Sequence, residues 1–166
     1  MKFFLTLFFI LSVSFSFGQK KEIKKAIKLF ESGDVQGAKD LLDSNSTLFE
    51  AAEAKITNQK LYLEGKIFQA NKNFQLAYEN FKAYKEAGGN NADYENQLQS
   101  LSSDIVNSAI EDNAENRFID ATSKLYLAYI IFPEQNKDYL YYAASSAVNG
   151  KDFDKALKYY NILKNM

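Results

Sequence analysis

The segment 61-LYLEGKIFQANKNFQLAYENFKAY-84 contains the pattern on which the rest of the chain is built. Small or apolar residues recur at helical spacing before and after a polar turn, Asn71 to Asn73. They are Leu61, Gly65 and Phe68, then Phe74, Ala77 and Phe81. The spacing predicts two amphipathic helices that approach closely at Gly65 and Ala77, with aromatic rings filling the space around that contact. Such a hairpin cannot bury its apolar stripe alone, so we expect it to stack on copies of itself.

The order of residue types in this hairpin resembles the tetratricopeptide repeat. The order is small residue, aromatic, turn, aromatic, alanine, aromatic, carried by Gly65, Phe68, the turn 71–73, Phe74, Ala77 and Phe81. The resemblance implies an all-α, right-handed superhelix (solenoid) of about four hairpins. It also implies an inner groove that binds other proteins, in a family that rarely catalyses reactions.

Composition excludes several kinds of chemistry. The 166 residues include no histidine and no cysteine, so the sequence offers no imidazole base, no thiolate nucleophile, no disulfide and no thiol or imidazole zinc site. The net charge is -1 and the only arginine is Arg117, which argues against nucleic acid as a partner. We therefore expect a protein that is not an enzyme and that uses no metal or cofactor.

Residues 1–19, MKFFLTLFFILSVSFSFGQ, have the pattern of a secretory signal peptide. One lysine precedes an apolar run that is shorter than the roughly 20 residues of a membrane span, and small residues follow it. We expect cleavage after Gly18 or Gln19. The alternatives are an uncleaved membrane anchor and a buried first helix. The mature chain is then expected in the periplasm or cell envelope, or secreted, with the membrane involved only through the targeting signal.

Residues 20–166 read as one domain of hairpins at about 20–46, 47–87, 92–133 and 137–166. The boundaries follow turn-forming residues and the single proline, Pro133. The second hairpin is expected to begin near Thr47, and 92–115 to form one long helix. Ala121 and Ala156 lie 35 residues apart, close to the roughly 34-residue period of the resembled family.

The last hairpin is not followed by a polar capping helix. The apolar residues Leu157, Tyr160, Ile162 and Leu163 are therefore expected to be partly uncovered. Either another surface covers them or the chain is a shortened relative of a longer protein. The signal segment and the tyrosine-rich last repeat are similar to exported repeat proteins of Bacteroidota, in which a longer C-terminal part would be expected.

The resemblance places a binding groove on the first helix of each hairpin. Its candidate binding residues are Tyr62, Lys66, Gln69, Tyr141 and Ser145, with Tyr62, Lys66 and Tyr141 as first choices. Its further walls are Ile23, Ile27, Phe30, Val106, Ile110, Asn113 and Val148. Aromatic anchors in such a groove suit a segment of another protein. Packing between helices is an equally good interpretation for each of these side chains. A clamp for acidic chain ends is not expected, because apolar Ile23 and Val106 occupy two of its positions.

The densest acidic group is Glu111, Asp112, Glu115 and Asp120. A glycosidase pair or a calcium site would need a cleft or a ligand loop that the sequence does not show, so a solvated helix end is the preferred interpretation. The function expected is a non-catalytic interaction or scaffold module of the bacterial cell envelope that binds a segment of another protein. The alternative is a structural subunit that docks or self-associates through its uncapped C-terminal helix.

Overall fold

The computed structural model describes the backbone of residues 2–166 and the side chains of residues 17–166. Within this part the chain is all-helical, as predicted, with nine helices and no strand. They are α1 (Lys2–Glu31), α2 (Val35–Ser44), α3 (Ser46–Phe49), α4 (Ala54–Ala70), α5 (Phe74–Glu86), α6 (Asn91–Ala114), α7 (Phe118–Ile131), α8 (Lys137–Asn149) and α9 (Phe153–Lys164). Most of the expected signal segment, residues 1–16, lies outside the described side chains.

The chain divides into two compact units, which meet in sequence between Tyr94 and Glu95, inside α6. In the N-terminal unit α1 packs on α2, α4 packs on α5, and α4 also contacts α1 and α2. In the C-terminal unit α8 packs on both α7 and α9. Each unit has its own apolar cluster. Ile23, Ala26, Leu42, Phe49, Ile56, Leu63 and Ile67 belong to the first, and Ala109, Leu125, Leu140, Ala143, Ala144 and Tyr159 form the second.

Four turns inside the hairpins share one backbone geometry, which also occurs at Gly88 between α5 and α6, where the Gly89 N–H donates to the Tyr84 carbonyl at 2.9 Å. Each contains a residue with positive φ, and these are Gly33, Lys72, Asn116 and Lys151. The next residue donates its N–H to the carbonyl five positions back, in the pairs Asp34 to Leu29, Asn73 to Phe68, Arg117 to Asp112 and Asp152 to Ala147, at 2.7 to 2.9 Å. This is the Schellman motif, which satisfies the last carbonyls of a helix. A new helix begins one residue later, so each turn also starts its partner helix.

Two small-residue positions recur around these turns. Seven residues before the positive-φ residue stand Ala26, Gly65, Ala109 and Ala144, and five residues after it stand Ala38, Ala77, Ala121 and Ala156. All eight are buried. A Cβ on Gly65 would lie 2.4 Å from the Phe81 ring, so the glycine makes room for the aromatic ring of the facing helix. The four hairpins therefore share one turn and one pair of small contact positions.

The connections between hairpins differ. The helix expected from Thr47 onward is interrupted: α3 ends at Phe49 and α4 begins at Ala54, although no glycine or proline lies between them. Phe49 is buried in the apolar cluster of the N-terminal unit, and the break lets both this ring and α4 reach that cluster. The predicted long helix is confirmed as α6, and α7 ends at Ile131, just before Pro133.

Candidate protein-binding cleft

A cleft of about 490 Å³ opens between α6, α7 and α8 in the C-terminal unit. Its lining side chains come from all three helices and the residues beside them. They are Val106, Ile110, Asn113, Phe118, Leu125, Tyr139, Tyr142, Ser145, Ser146 and Asn149. None of them carries a charge. The cleft therefore suits an uncharged, largely apolar ligand rather than a phosphate or a carboxylate.

Helical spacing explains how each wall forms. Val106, Ile110 and Asn113 are four and three residues apart, so they lie on one face of α6. On α8, Tyr142, Ser145, Ser146 and Asn149 follow the same spacing. Gly150 lies close to the cleft residue Phe118, because a Cβ on Gly150 would be only 3.0 Å from Cβ of Phe118. The absent side chain lets the start of α7 approach the end of α8.

Two polar side chains of the cleft are hydrogen-bonded to each other. Ser146 is buried and its hydroxyl donates to Oδ1 of Asn113 at 3.0 Å. This bond fixes the orientation of the Asn113 side-chain amide, because the amide oxygen accepts the Ser146 hydrogen bond. Within the described part of the chain, Nδ2 of Asn113 has no hydrogen-bond partner, so two N–H donors remain for a ligand carbonyl. Ser145 adds a hydroxyl to the same wall.

Asp112, beside the cleft residue Asn113, is the most deeply buried charged side chain described, with 2% of its surface exposed. Its Oδ1 accepts from Nε and Nη2 of Arg117 at 2.9 and 2.6 Å. Its Oδ2 pairs with Nζ of Lys124, which also donates to the Ser108 hydroxyl at 2.8 Å. The network ties α6 to α7. The expectation that the acidic group is a solvated helix end is therefore wrong for Asp112, whereas Glu111, Glu115 and Asp120 are exposed.

The pKa of Asp112 reflects two opposing effects. Burial by itself raises the pKa of this carboxyl, but hydrogen bonds and the charges of Lys124 and Arg117 outweigh burial and hold the pKa below its ordinary value. Asp112 is thus ionised at neutral pH and both of its oxygens are occupied. Arg117, the only arginine of the chain, makes the ion pair with Asp112 and also pairs with Glu115.

The predicted residues Tyr62, Lys66 and Gln69 lie on one face of α4. Gln69 is almost fully buried. The Tyr62 ring packs at 5.0 Å from the ring of Tyr84 on α5, and burial raises the pKa of its hydroxyl. Lys66 places Nζ over the ring of Phe30, 4.9 Å from its centroid, a cation–π contact.

Tyr62 and Tyr84 also line a smaller recess of about 340 Å³ in the N-terminal unit. Lys66 and Gln69 are not among its lining residues. Asn58, another lining residue, donates from Nδ2 to the Ala87 carbonyl at 3.0 Å. Its Oδ1 is buried without a partner in the described structure.

The two predicted residues on α8 point to different surroundings. Ser145 lines the cleft. Tyr141 does not, and its ring lies 6.0 Å from that of Tyr160 on α9. Of the further groove residues, Val106, Ile110 and Asn113 line the cleft, whereas Ile23 is fully buried, so the packing interpretation holds there.

Sequence reasoning did not assign Phe118, Leu125, Tyr142, Ser146 or Asn149 to a binding surface. Phe118 and Leu125 belong to the second helix of a hairpin, which the family resemblance places outside the groove. Tyr142, Ser146 and Asn149 do follow Ser145 at helical spacing on α8. The helical spacing from Ser145 could therefore have predicted that these three residues share its face of α8.

Comparison of the chain with models of known protein families, with curated proteins and with solved structures gives no match. None of the helices within residues 17–166 is long and apolar enough to cross a membrane. In the same range, no group of three acidic side chains is arranged to hold a metal ion.

Proposed function

We propose that this chain is a non-catalytic protein-binding module that holds an uncharged segment of another protein in the cleft between α6, α7 and α8. The observation that carries the proposal is the lining of this cleft: apolar side chains, uncharged polar groups and a free amide donor on Asn113. Peptide segments present these complements, since their backbones offer carbonyl oxygens and their side chains offer apolar groups.

In this proposal an apolar side chain of the partner enters the cleft against Ile110 and Tyr142, which are both more than half exposed. Full burial of one leucine-sized side chain would contribute about 1.5 to 3 kcal/mol. The Asn113 amide donates to a backbone carbonyl next to that side chain. Affinity then comes from the apolar anchor, and the polar contacts set the register of the segment.

We further propose that the four hairpins are tetratricopeptide-like repeats of a short right-handed superhelix, exported to the cell envelope. The shared turns and the recurring small residues support the repeat assignment. Turns at Asn116 and Lys151 lie 35 residues apart, close to the roughly 34-residue period of that family. The signal-like pattern of residues 1–19 supports export.

The test is site-specific photo-crosslinking in the native cell envelope. A photoreactive residue at position 145 is expected to capture one discrete protein, whose linked peptide is apolar and uncharged. Ile110→Glu should abolish this capture because it places a carboxylate at the mouth of the cleft. Ile119→Glu is the matched control, since Ile119 has 61% of its surface exposed, close to the 59% of Ile110, but does not line the cleft.

Capture that survives Ile110→Glu would contradict the proposal. The double variant Tyr62→Ala/Tyr141→Ala examines the alternative set of groove residues in the same experiment. Loss of the partner in that variant, with normal capture in Ile110→Glu, would move the working surface to α4 and to the outer side of α8.

A further inference from the structure

The outward face of α1 in the N-terminal unit is lined with lysines. They follow each other at intervals of three, one and three residues, which places them on one face of the helix, and they are Lys21, Lys24, Lys25 and Lys28. All four are exposed, and we call them the lysine stripe. They lie opposite Ile23 and Ala26, which are fully buried in the apolar cluster of this unit. The stripe therefore faces away from the helices on which α1 packs.

Within the stripe, like charges stand where side chains contact each other along a helix. Lys21 and Lys25 are four residues apart, as are Lys24 and Lys28, and like charges at this spacing destabilise a helix. Elsewhere the chain carries opposite charges at the same spacing, in the pairs Lys39–Asp43, Lys60–Glu64 and Lys82–Glu86. The stripe thus costs α1 stability, and an external anionic surface would relieve that repulsion.

The four stripe lysines have no ion-pair partner among residues 17–166. Their neighbour Lys20 does have one, since it pairs with Glu53 at 3.5 Å. The acids of this part of α1 are Glu22, which is partly buried, and Glu31, which ends the helix. Neither forms an ion pair with the stripe. The ammonium groups of the stripe are therefore free to meet a negatively charged surface.

Positive charge is concentrated in this part of the chain. Of the 20 basic side chains, five lie within residues 20–28, which contain a single acid, Glu22. Residues 29–166 instead carry 14 basic and 20 acidic side chains. An anionic surface would attract the stripe and repel the acidic remainder, so the charge distribution determines which face of the protein it meets.

The type of cation and the course of α1 indicate that this surface is a membrane. Lysine is a point charge on a flexible stem, whereas arginine forms the paired hydrogen bonds that recognise single phosphates or carboxylates, and the stripe contains no arginine. Helix α1 runs from Lys2 to Glu31, so the apolar run that ends at Val13 and the stripe share one helix. At about 1.5 Å per residue, Lys21 lies about 12 Å along the axis from Val13. Entry of the apolar run into a membrane would bring the stripe to the lipid headgroups.

We infer that the lysine stripe holds the chain on the surface of a membrane that contains anionic phospholipids, with the buried face of α1 turned toward the protein core. Each lysine near such a surface contributes about fivefold to binding. The stripe lies outside the expected signal segment, so the contact would persist after removal of residues 1–18. The choice of a lipid surface rests on the proposed targeting role of residues 1–19, but it does not rest on the proposed function of the cleft.

The experiment measures co-sedimentation with lipid vesicles, using the chain as it is recovered from its own cell envelope. Vesicles that contain phosphatidylglycerol are expected to bind it, less strongly at higher salt, and vesicles of phosphatidylcholine alone should bind it far less. Replacing all four stripe lysines by glutamine should weaken binding to the anionic vesicles by at least about a hundredfold. Replacing them by arginine should preserve binding, because the charge is retained.

A matched control removes four other exposed lysines. The control substitutions are Lys137→Gln, Lys151→Gln, Lys158→Gln and Lys164→Gln. They change the net charge by the same amount as the stripe variant but leave the stripe intact, so binding to anionic vesicles should stay close to that of wild type. Circular dichroism of both variants confirms that the helices are retained.

Four results would overturn the inference. Equal binding to both kinds of vesicle would assign the contact to apolar residues. Anionic binding that survives the glutamine substitutions, or equal losses in the stripe and control variants, would exclude the stripe as the binding surface. Binding of soluble poly-glutamate without binding of vesicles would assign the stripe to an acidic protein segment. Photo-crosslinking at position 145 tests the cleft separately, so failure of either proposal can be recognised.

Discussion

Asp112 illustrates how one side chain can connect two helices. It lies near the end of α6 and pairs with Arg117 in the turn and with Lys124 on α7. In the next hairpin the equivalent position, 35 residues on, is the buried Ala147. A buried carboxylate is costly unless its charge is paired and its oxygens are hydrogen-bonded, and here both conditions are met.

We predict that Asp112→Asn lowers the free energy of unfolding at neutral pH by about 1 to 3 kcal/mol. The lower part of this range is expected because Arg117 is partly exposed and water screens its charge. Because the pKa of Asp112 is lowered in the folded state, its contribution is present above the ordinary aspartate pKa of about 3.9. It is lost as pH falls through the still lower folded-state pKa.

Urea unfolding between neutral and acidic pH measures this effect. The stability difference between wild type and Asp112→Asn should shrink as the solution becomes acidic. Glu134→Gln removes an exposed carboxylate and should leave the pH profile nearly unchanged. Parallel pH profiles for wild type and Asp112→Asn would show that the ion pairs add no net stability.

Among the helical elements, the four Schellman turns inside the hairpins are the most regular feature. Glycine occupies the positive-φ position in the first turn, but lysine or asparagine occupies it in the other three. A side chain with a Cβ is disfavoured in this conformation by roughly 1 kcal/mol, and asparagine less so. The later turns therefore hold strained residues because the packed helices on both sides require the geometry.

We predict that Lys151→Gly stabilises the C-terminal unit by up to about 1 kcal/mol, because glycine adopts φ near 60° without steric cost. The opposite change, Gly33→Ala, should destabilise the N-terminal unit by about 1 kcal/mol. No heavy atom lies within 4 Å of a Cβ on Gly33, so this cost reports the backbone alone. Thermal unfolding measures both. An unchanged or less stable Lys151→Gly protein would contradict the assignment.

For the molecule as a whole, the contacts of Gln19 indicate where the expected signal segment ends. Its side chain is buried, and its Nε2 donates to the Leu48 carbonyl at 2.8 Å, whereas Phe17 is exposed. Gln19 is thus integrated into the packing of α1 on α3. Of the two cleavage positions that the sequence suggests, only cleavage after Gly18 keeps this contact.

We predict that cleavage of the proposed signal segment leaves a chain that begins at Gln19. Intact mass spectrometry of the protein from its own cell envelope should give the mass of residues 19–166. A chain that begins at Lys20, or one that is not cleaved, would contradict this prediction. Gln19→Ala should also destabilise the cleaved chain by about 0.5 to 1.5 kcal/mol, while Lys24→Ala, a change at an exposed position, should have little effect.

The sequence by itself determined most of the helices, the turns inside the hairpins and the small contact positions. Gly65 and Ala77 are buried as predicted, and the turn near Asn116 and the end of α7 before Pro133 lie where their residues place them. These features depend on residues a few positions apart, because helical periodicity and turn geometry are local properties.

Only the tertiary structure decided which faces are buried against other helices. It turned Asp112 inward toward Lys124, interrupted the helix after Phe49, placed Tyr141 beside Tyr160, and assembled one cleft from three helices. Each outcome depends on contacts between residues that are distant in sequence. A helix period shows that a face is apolar or polar, but packing determines what that face meets.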